Sequence, residues 1–201
     1  DELRTQRKQF EEQVKELGQQ SSEAMLLGLL NQLNDLRNNV VRPGGAVGRG
    51  AIREINEHVR KAIVLDAKHL LTLPESEQRD LLACGGPAAG AGESVVVARW
   101  EVLYTPEISD ALGLLFRTTY VIARFIDEDE HLNKDVSYRI LRSQWSQAEM
   151  ALLFYNAISP RGAKMRALID EHHLLQNLHS TFLAESGHRA WTRSRLADDG
   201  E

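Results

Sequence analysis

Apolar positions fall at helical spacings along almost the whole chain, and the first forty residues set the pattern. Residues 1–40 read as one long helix without proline. Its first half carries a narrow seam at Leu3, Phe10, Val14, Leu17 and Ala24, with spacings of 7, 4, 3 and 7. Such spacing belongs to a coiled-coil seam rather than to a broad core-facing stripe. The second half thickens to Met25, Leu26, Leu27, Leu29, Leu30, Leu33, Leu36 and Val40, a stripe that belongs in a core. Residues 1–24 are therefore expected to form a stalk or dimerisation helix, with a solvated helix as the alternative. Residues 25–185 are expected to form a helical bundle domain and 186–201 a flexible tail.

Pro43-Gly44-Gly45 and the glycines at 48 and 50 break the pattern. A helix is expected from about Ala51 to Leu73, striped by Ile52, Ile55, Val59, Ile63, Ala67 and Leu70. Pro74, followed by Glu75 and Glu77, opens a short helix that Gly85-Gly86 stops. GGPAAGAGES at 85–94 reads as a loop. The Val95-Val96-Val97 run is strand-like in composition, but one strand has no partner here, so a helix over 94–104 is favoured. Further helices are expected from Pro106 to about Asp127, from Lys134 to Ser159, and from Ala163 to Ala184, the last two separated by a Pro160-Arg161-Gly162 turn. The fold class is all-α: a multi-helix bundle with a long amino-terminal coiled-coil-like helix.

Composition changes this picture little. The 201 residues suit one domain with an extension, and with aromatics at only 6% the core must be filled by Leu, Ile, Val and Ala. A net charge of −5 gives no global attraction for nucleic acid or anionic membrane. The single cysteine, Cys84, excludes an internal disulfide and fits a reducing compartment. No apolar run reaches the roughly 18 to 20 residues that span a bilayer.

Polar residues within the apolar stripes carry more information. Arg117 and Tyr120 are i,i+3 neighbours, and burial of that guanidinium would demand acceptors. Asp127, Glu149 and the Asn156 carbonyl are the expected partners. The structural expectation is an interhelical polar network of Arg117, Tyr120, Asp127, Arg142, Gln144, Glu149, Tyr155, Asn156 and Lys164. The functional alternative is a ligand or anion clamp built on Arg117, Arg142 and Lys164. Gln144-Trp145-Ser146 is expected mid-helix, with Trp145 in the core, and Asn156 near a helix end bonding the following turn.

These same segments resemble the putative phage abortive infection (AbiC-like) family of bacteria. The resemblance rests on Phe116, Arg117, Tyr120, Ile122, Ile126 and Asp127; on Leu141, Arg142, Gln144 and Ser146 leading into Leu152-Leu153-Phe154-Tyr155-Asn156; and on Gly162, Lys164, Leu168, Ile169, Asp170, Asn177 and Leu178. Gln6, Arg7, Phe10, Glu11 and the Gly48-Arg49 turn also fit. Trp145 departs from the usual Leu, and His172-His173 from a Lys-Tyr-like pair. Membership implies a protein anchored in the bacterial inner membrane, with these residues, which open on Asp1 rather than Met, as its cytoplasmic part.

Catalytic signals are sparse. Arg166 and His172 have about the spacing found in HEPN-type ribonucleases, where His is the acid/base and Arg stabilises phosphate, but spacing alone is a weak signal. Asp127-Glu128-Asp129-Glu130-His131 lacks the Gly and terminal Glu of a calcium loop. His172 and His179 would need a third ligand, such as Glu171 or His188, to bind zinc. Cys84 has no adjacent base. Neither metal nor cofactor is expected. The leading expectation is therefore a non-enzymatic anti-phage defence domain that forms a homodimer through Leu3, Phe10, Val14 and Leu17 and meets a phage or defence-system protein. A ribonuclease using Arg166 and His172 is the alternative. A nucleic-acid-binding edge of Arg139, Arg142, Arg161, Lys164 and Arg166 is a third reading.

Overall fold

The structure, a computed structural model, describes residues 2–42, 45–70, 93–184 and His188. Among these residues are seven α-helices: α1 (Glu2–Asn38), α2 (Arg49–Leu70), α3 (Glu93–Leu103), α4 (Pro106–Glu128), α5 (Lys134–Ser143), α6 (Gln147–Ile158) and α7 (Ala163–Glu171). The all-α expectation holds. The short helix expected after Pro74, Cys84, the loop glycines 85–92 and the tail beyond His188 lie outside the described residues.

Helix α6 is the centre. Every residue from Ala148 to Ala157 is buried. A helix apolar all round must be enclosed on all sides, and α2, α3 and α7 pack against it. Trp100 of α3 stacks on Tyr155 of α6 with ring centroids 5.9 Å apart. Helix α4 packs on α5 and α7, and α1 lies along α4. The valine-rich segment is helical because Val96 and Trp100, one turn apart, are both fully buried on the same face.

Helix α1 changes character along its length. Its outer part is exposed and supported by i,i+4 pairs such as Arg7–Glu11 at 2.9 Å, each worth only a few tenths of a kcal/mol. Burial begins at Ser22 and continues through Leu26, Leu30, Leu33 and Arg37. At the junction, a Cβ on Gly18 would sit 3.0 Å from the His131 ring, and Ser22 Oγ donates to Asp129 Oδ2 at 2.8 Å. Beyond α1 the chain reverses through an antiparallel bridge of Val41 and Val47. Gly48, at φ 61, then leads into α2.

Two expected helices are shorter than the hydrophobic pattern predicts. The helix expected over 134–159 is broken at Gln144–Ser146 into α5 and α6. Ser146 and Glu149 form a capping box: Ser146 Oγ accepts the Glu149 amide at 3.3 Å, and Glu149 Oε2 accepts the Ser146 amide at 2.8 Å. That exchange satisfies amides at a new helix start. The helix expected over 163–184 ends at Glu171. His173 adopts φ 50, and the Leu174 amide returns to the Ile169 carbonyl at 3.1 Å, a left-handed terminator in which His replaces the more usual Gly.

The turn into α7 tolerates only glycine. A Cβ on Gly162 would lie 2.1 Å from the Asn156 carbonyl oxygen and 2.7 Å from Ala157 Cα. That carbonyl is held by the Ser159 hydroxyl at 2.8 Å. Gly162→Ala is therefore expected to lower stability by at least ~3 kcal/mol in urea unfolding. Gly28 has open space around it, so Gly28→Ala should raise stability by ~0.5–1 kcal/mol. Equal effects at the two sites would contradict this packing.

Candidate functional site

Among the described residues, two polar centres within the helices bear on function. The first is wholly buried. Arg37, in the last turn of α1, donates from Nε to Glu149 Oε1 in the first turn of α6, and both side chains are at most 5% exposed. Each charge sits at the helix end whose dipole favours it. Asn34 Oδ1 accepts from Arg37 Nη1 at 3.3 Å. Glu149 thus caps α6 with one carboxylate oxygen and holds α1 with the other.

The second centre is half-buried, where the carboxy-terminal ends of α4 and α7 meet α5. His172 Nε2 lies 3.2 Å from Asp127 Oδ1. Lys134 Nζ donates to the Asp127 carbonyl and reaches Asp127 Oδ1 at 3.4 Å. Tyr138 stacks on His172 with centroids 4.0 Å apart, and its hydroxyl donates to the Ala123 carbonyl at 2.9 Å. Burial, reinforced by the nearby Asp127 and Glu171 carboxylates, pushes the Tyr138 phenol far above its usual range. Arg142 Nη1 donates to the His172 carbonyl at 3.3 Å.

Two residues along, Asp129 fastens the base of the stalk. Burial opposes its ionisation, but hydrogen bonds from Ser22 and from the His131 and Leu132 amides outweigh it and hold the carboxyl below its usual value.

The residues expected in one network are thus divided. Asp127 and Arg142 belong to the half-buried centre and Glu149 to the buried one. Arg117 is exposed, which corrects the expectation of a buried guanidinium there; Tyr120 is half-buried beside it. The position simply falls on the solvent side of α4, between exposed Leu114 and Val121. Gln144 lies in the break, its carbonyl 3.4 Å from Arg49 Nη2. Tyr155 is fully buried and its hydroxyl accepts the Ala184 amide at 2.7 Å. The Asn156 carbonyl accepts from Ser159, not from Arg117. Lys164 is exposed. Leu3, Phe10, Val14 and Leu17 are 81%, 66%, 51% and 65% exposed, so the seam is uncovered in a single chain.

Sequence reasoning passed over Lys134 and Tyr138 of the half-buried centre, and also Arg37 of the buried one. The signal for Arg37 was present: Leu26, Leu30, Leu33 and Arg37 follow one another at spacings of 4, 3 and 4, which puts an arginine in the apolar stripe.

Arg166 and His172 have separate partners. Arg166 is paired with Glu93 of α3 and lies 3.9 Å from Asp170, and the Glu93 hydrogen bond reinforces its positive charge. Of the basic edge, Arg161 is held by Glu101 at 2.8 Å, while Arg139 and Lys164 point to solvent. His179 Nδ1 meets Thr181 Oγ1 at 2.8 Å, away from His172's partners.

Residues 107–183 match the family described as "Putative phage abortive infection protein". No curated protein and no solved structure matches the chain. The matched span runs from the start of α4 past α7 and contains the half-buried centre together with Glu149.

The buried pair predicts a diagnostic pattern of stabilities. Arg37→Met or Glu149→Leu alone should cost ~3–5 kcal/mol by leaving one buried charge unpaired. The double variant should recover most of that loss, less ~1 kcal/mol for the missing capping box. Urea unfolding of all four proteins measures the coupling; losses that simply add would show that the two side chains act independently.

Proposed function

On the premise that residues 107–183 belong to the family of putative phage abortive infection proteins, we propose that the chain is a helical sensor or effector domain of bacterial anti-phage defence. The family match carries this reading. It acts by binding rather than by catalysis, and meets a phage or defence-system protein. Residues 1–24 form a stalk that pairs two copies. The spacing of Leu3, Phe10, Val14 and Leu17 supports the pairing, as does their exposure on a helix whose other half is packed into the bundle. No helix among the described residues is long and apolar enough to cross a membrane. Attachment to the cytoplasmic side of the inner membrane rests on the family resemblance alone, and cell fractionation tests it.

The ribonuclease alternative has less support. Its Arg166 is engaged by Glu93 and Asp170, while His172 faces Asp127. The nucleic-acid edge is weakened in the same way by the Glu101–Arg161 and Glu93–Arg166 pairs.

Exposed Arg117 is a separate element of this reading. It matches the family pattern, yet it lies on the open face of α4 with Leu114 and Val121 on either side. A partner would meet it there. Arg117→Ala is expected to change stability by less than ~0.5 kcal/mol while reducing protection in a phage-challenge assay. A fall in stability together with protection would assign Arg117 a structural role instead.

For the stalk, Phe10→Asp with Leu17→Asp should convert a dimer to a monomer in light scattering and reduce protection, without altering the unfolding of the bundle. A wild-type chain that stays monomeric at high concentration refutes the pairing.

A further inference from the structure

We propose that Asp127, Glu171 and His172 form a binding site for a divalent transition-metal ion of the zinc type. Three ligand atoms, one from each residue, lie within 4.8 Å of one another. They come from two elements far apart in sequence, the end of α4 and the end of α7, so the fold rather than local sequence assembles them. One imidazole nitrogen and two carboxylates are a donor set that suits zinc-like ions better than calcium or magnesium, which prefer oxygen alone. Their two negative charges balance a dication.

The geometry is close to what the metal needs. Bonds of ~2.0–2.1 Å to a tetrahedral zinc separate neighbouring donors by roughly 3.3 Å. His172 Nε2 and Asp127 Oδ1 already stand 3.2 Å apart. Glu171 is exposed, and its carboxylate already lies within 4.8 Å of the other two ligand atoms, so a side-chain rotation suffices to make it the third ligand. Three protein donors leave a fourth position for water or a partner's side chain.

The surroundings hold the ligands in place. Tyr138 stacks on the His172 ring, and its own hydroxyl is fixed to the Ala123 carbonyl at 2.9 Å. The Arg142 guanidinium holds the His172 carbonyl. Contacts of this kind orient a metal-binding histidine. Lys134 already lies on Asp127 as a competing internal cation. A metal ion must displace its ammonium from the carboxylate, and that competition gives the proposal a distinctive signature.

Titration of the full chain with zinc alone, at neutral pH against a chromophoric chelator, tests the site. One ion per chain is expected. His172→Ala and Asp127→Asn should each weaken binding by at least ~10-fold. Glu171→Gln, at an exposed position that cannot disturb folding, should weaken it as well. Lys134→Ala should tighten it several-fold, the opposite of what loss of a merely structural contact would do. Absence of stoichiometric binding by the wild-type chain overturns the proposal. So does binding that Glu171→Gln and His172→Ala leave unchanged, which would place the ion elsewhere.

Discussion

The ion pair between Arg37 and Glu149 is the constraint on which the arrangement of the helices turns. It joins the inner end of α1 to the start of the central helix α6, and both charges are removed from water. Burying either alone would cost several kcal/mol, so each partner makes the other tolerable. Arg37 Nη2 finds no hydrogen-bond partner among the described residues, so satisfaction of the guanidinium is incomplete. The pair is therefore better understood as selecting one register of α1 than as adding large net stability. Sliding α1 by a turn toward its carboxy-terminal end would bring Leu33 opposite Glu149 and leave a carboxylate buried without its cation.

Glu149 links that choice to chain topology. The capping box that ends the α5 segment and begins α6 uses the same carboxylate. The break at Gln144–Ser146 and the docking of α1 thus depend on one side chain. With α6 enclosed by α2, α3 and α7, its ends must be satisfied locally: Glu149 does so at the beginning, and the Asn156–Ser159–Gly162 turn at the end. Gly162 is required because the returning backbone passes directly over the last turn.

The sequence made the helices legible wherever an apolar stripe met a proline or a capping residue. Pro106 marks a helix start that the structure reproduces, and the helix expected from Lys134 begins there behind the side-chain cap of Asn133. It concealed the ends that lack such markers. Nothing in Glu171-His172-His173 resembles a glycine stop, and the left-handed turn at His173 became visible only in three dimensions. The expected network was centred on Arg117, which is exposed, whereas the buried ion pair uses Arg37. Arg117 and Arg37 both interrupt apolar stripes, and the stripe of α4 is wide enough for one edge to face solvent. Periodicity identifies a face to within about one residue per turn, not which edge of it is covered. Neither could spacing bring Asp127 to His172, because their contact depends on how α4 crosses α7.

That crossing also explains why the stalk and the half-buried centre are neighbours. Asp127 and Asp129 stand two residues apart at the end of α4 yet face different partners: His172 and Lys134 hold the first, and Ser22 of α1 holds the second. Gly18 allows the stalk to approach the His131 ring at the same turn. The end of α4 is consequently shared between the base of the stalk and the polar centre. Residues 2–17 project from a fulcrum anchored on one side by Ser22–Asp129 and farther along by Arg37–Glu149. A load applied to the exposed seam would meet the Ser22 contact first, because that is a single hydrogen bond near the surface. The buried ion pair, with its larger penalty for separation, would hold the inner half of α1 in place.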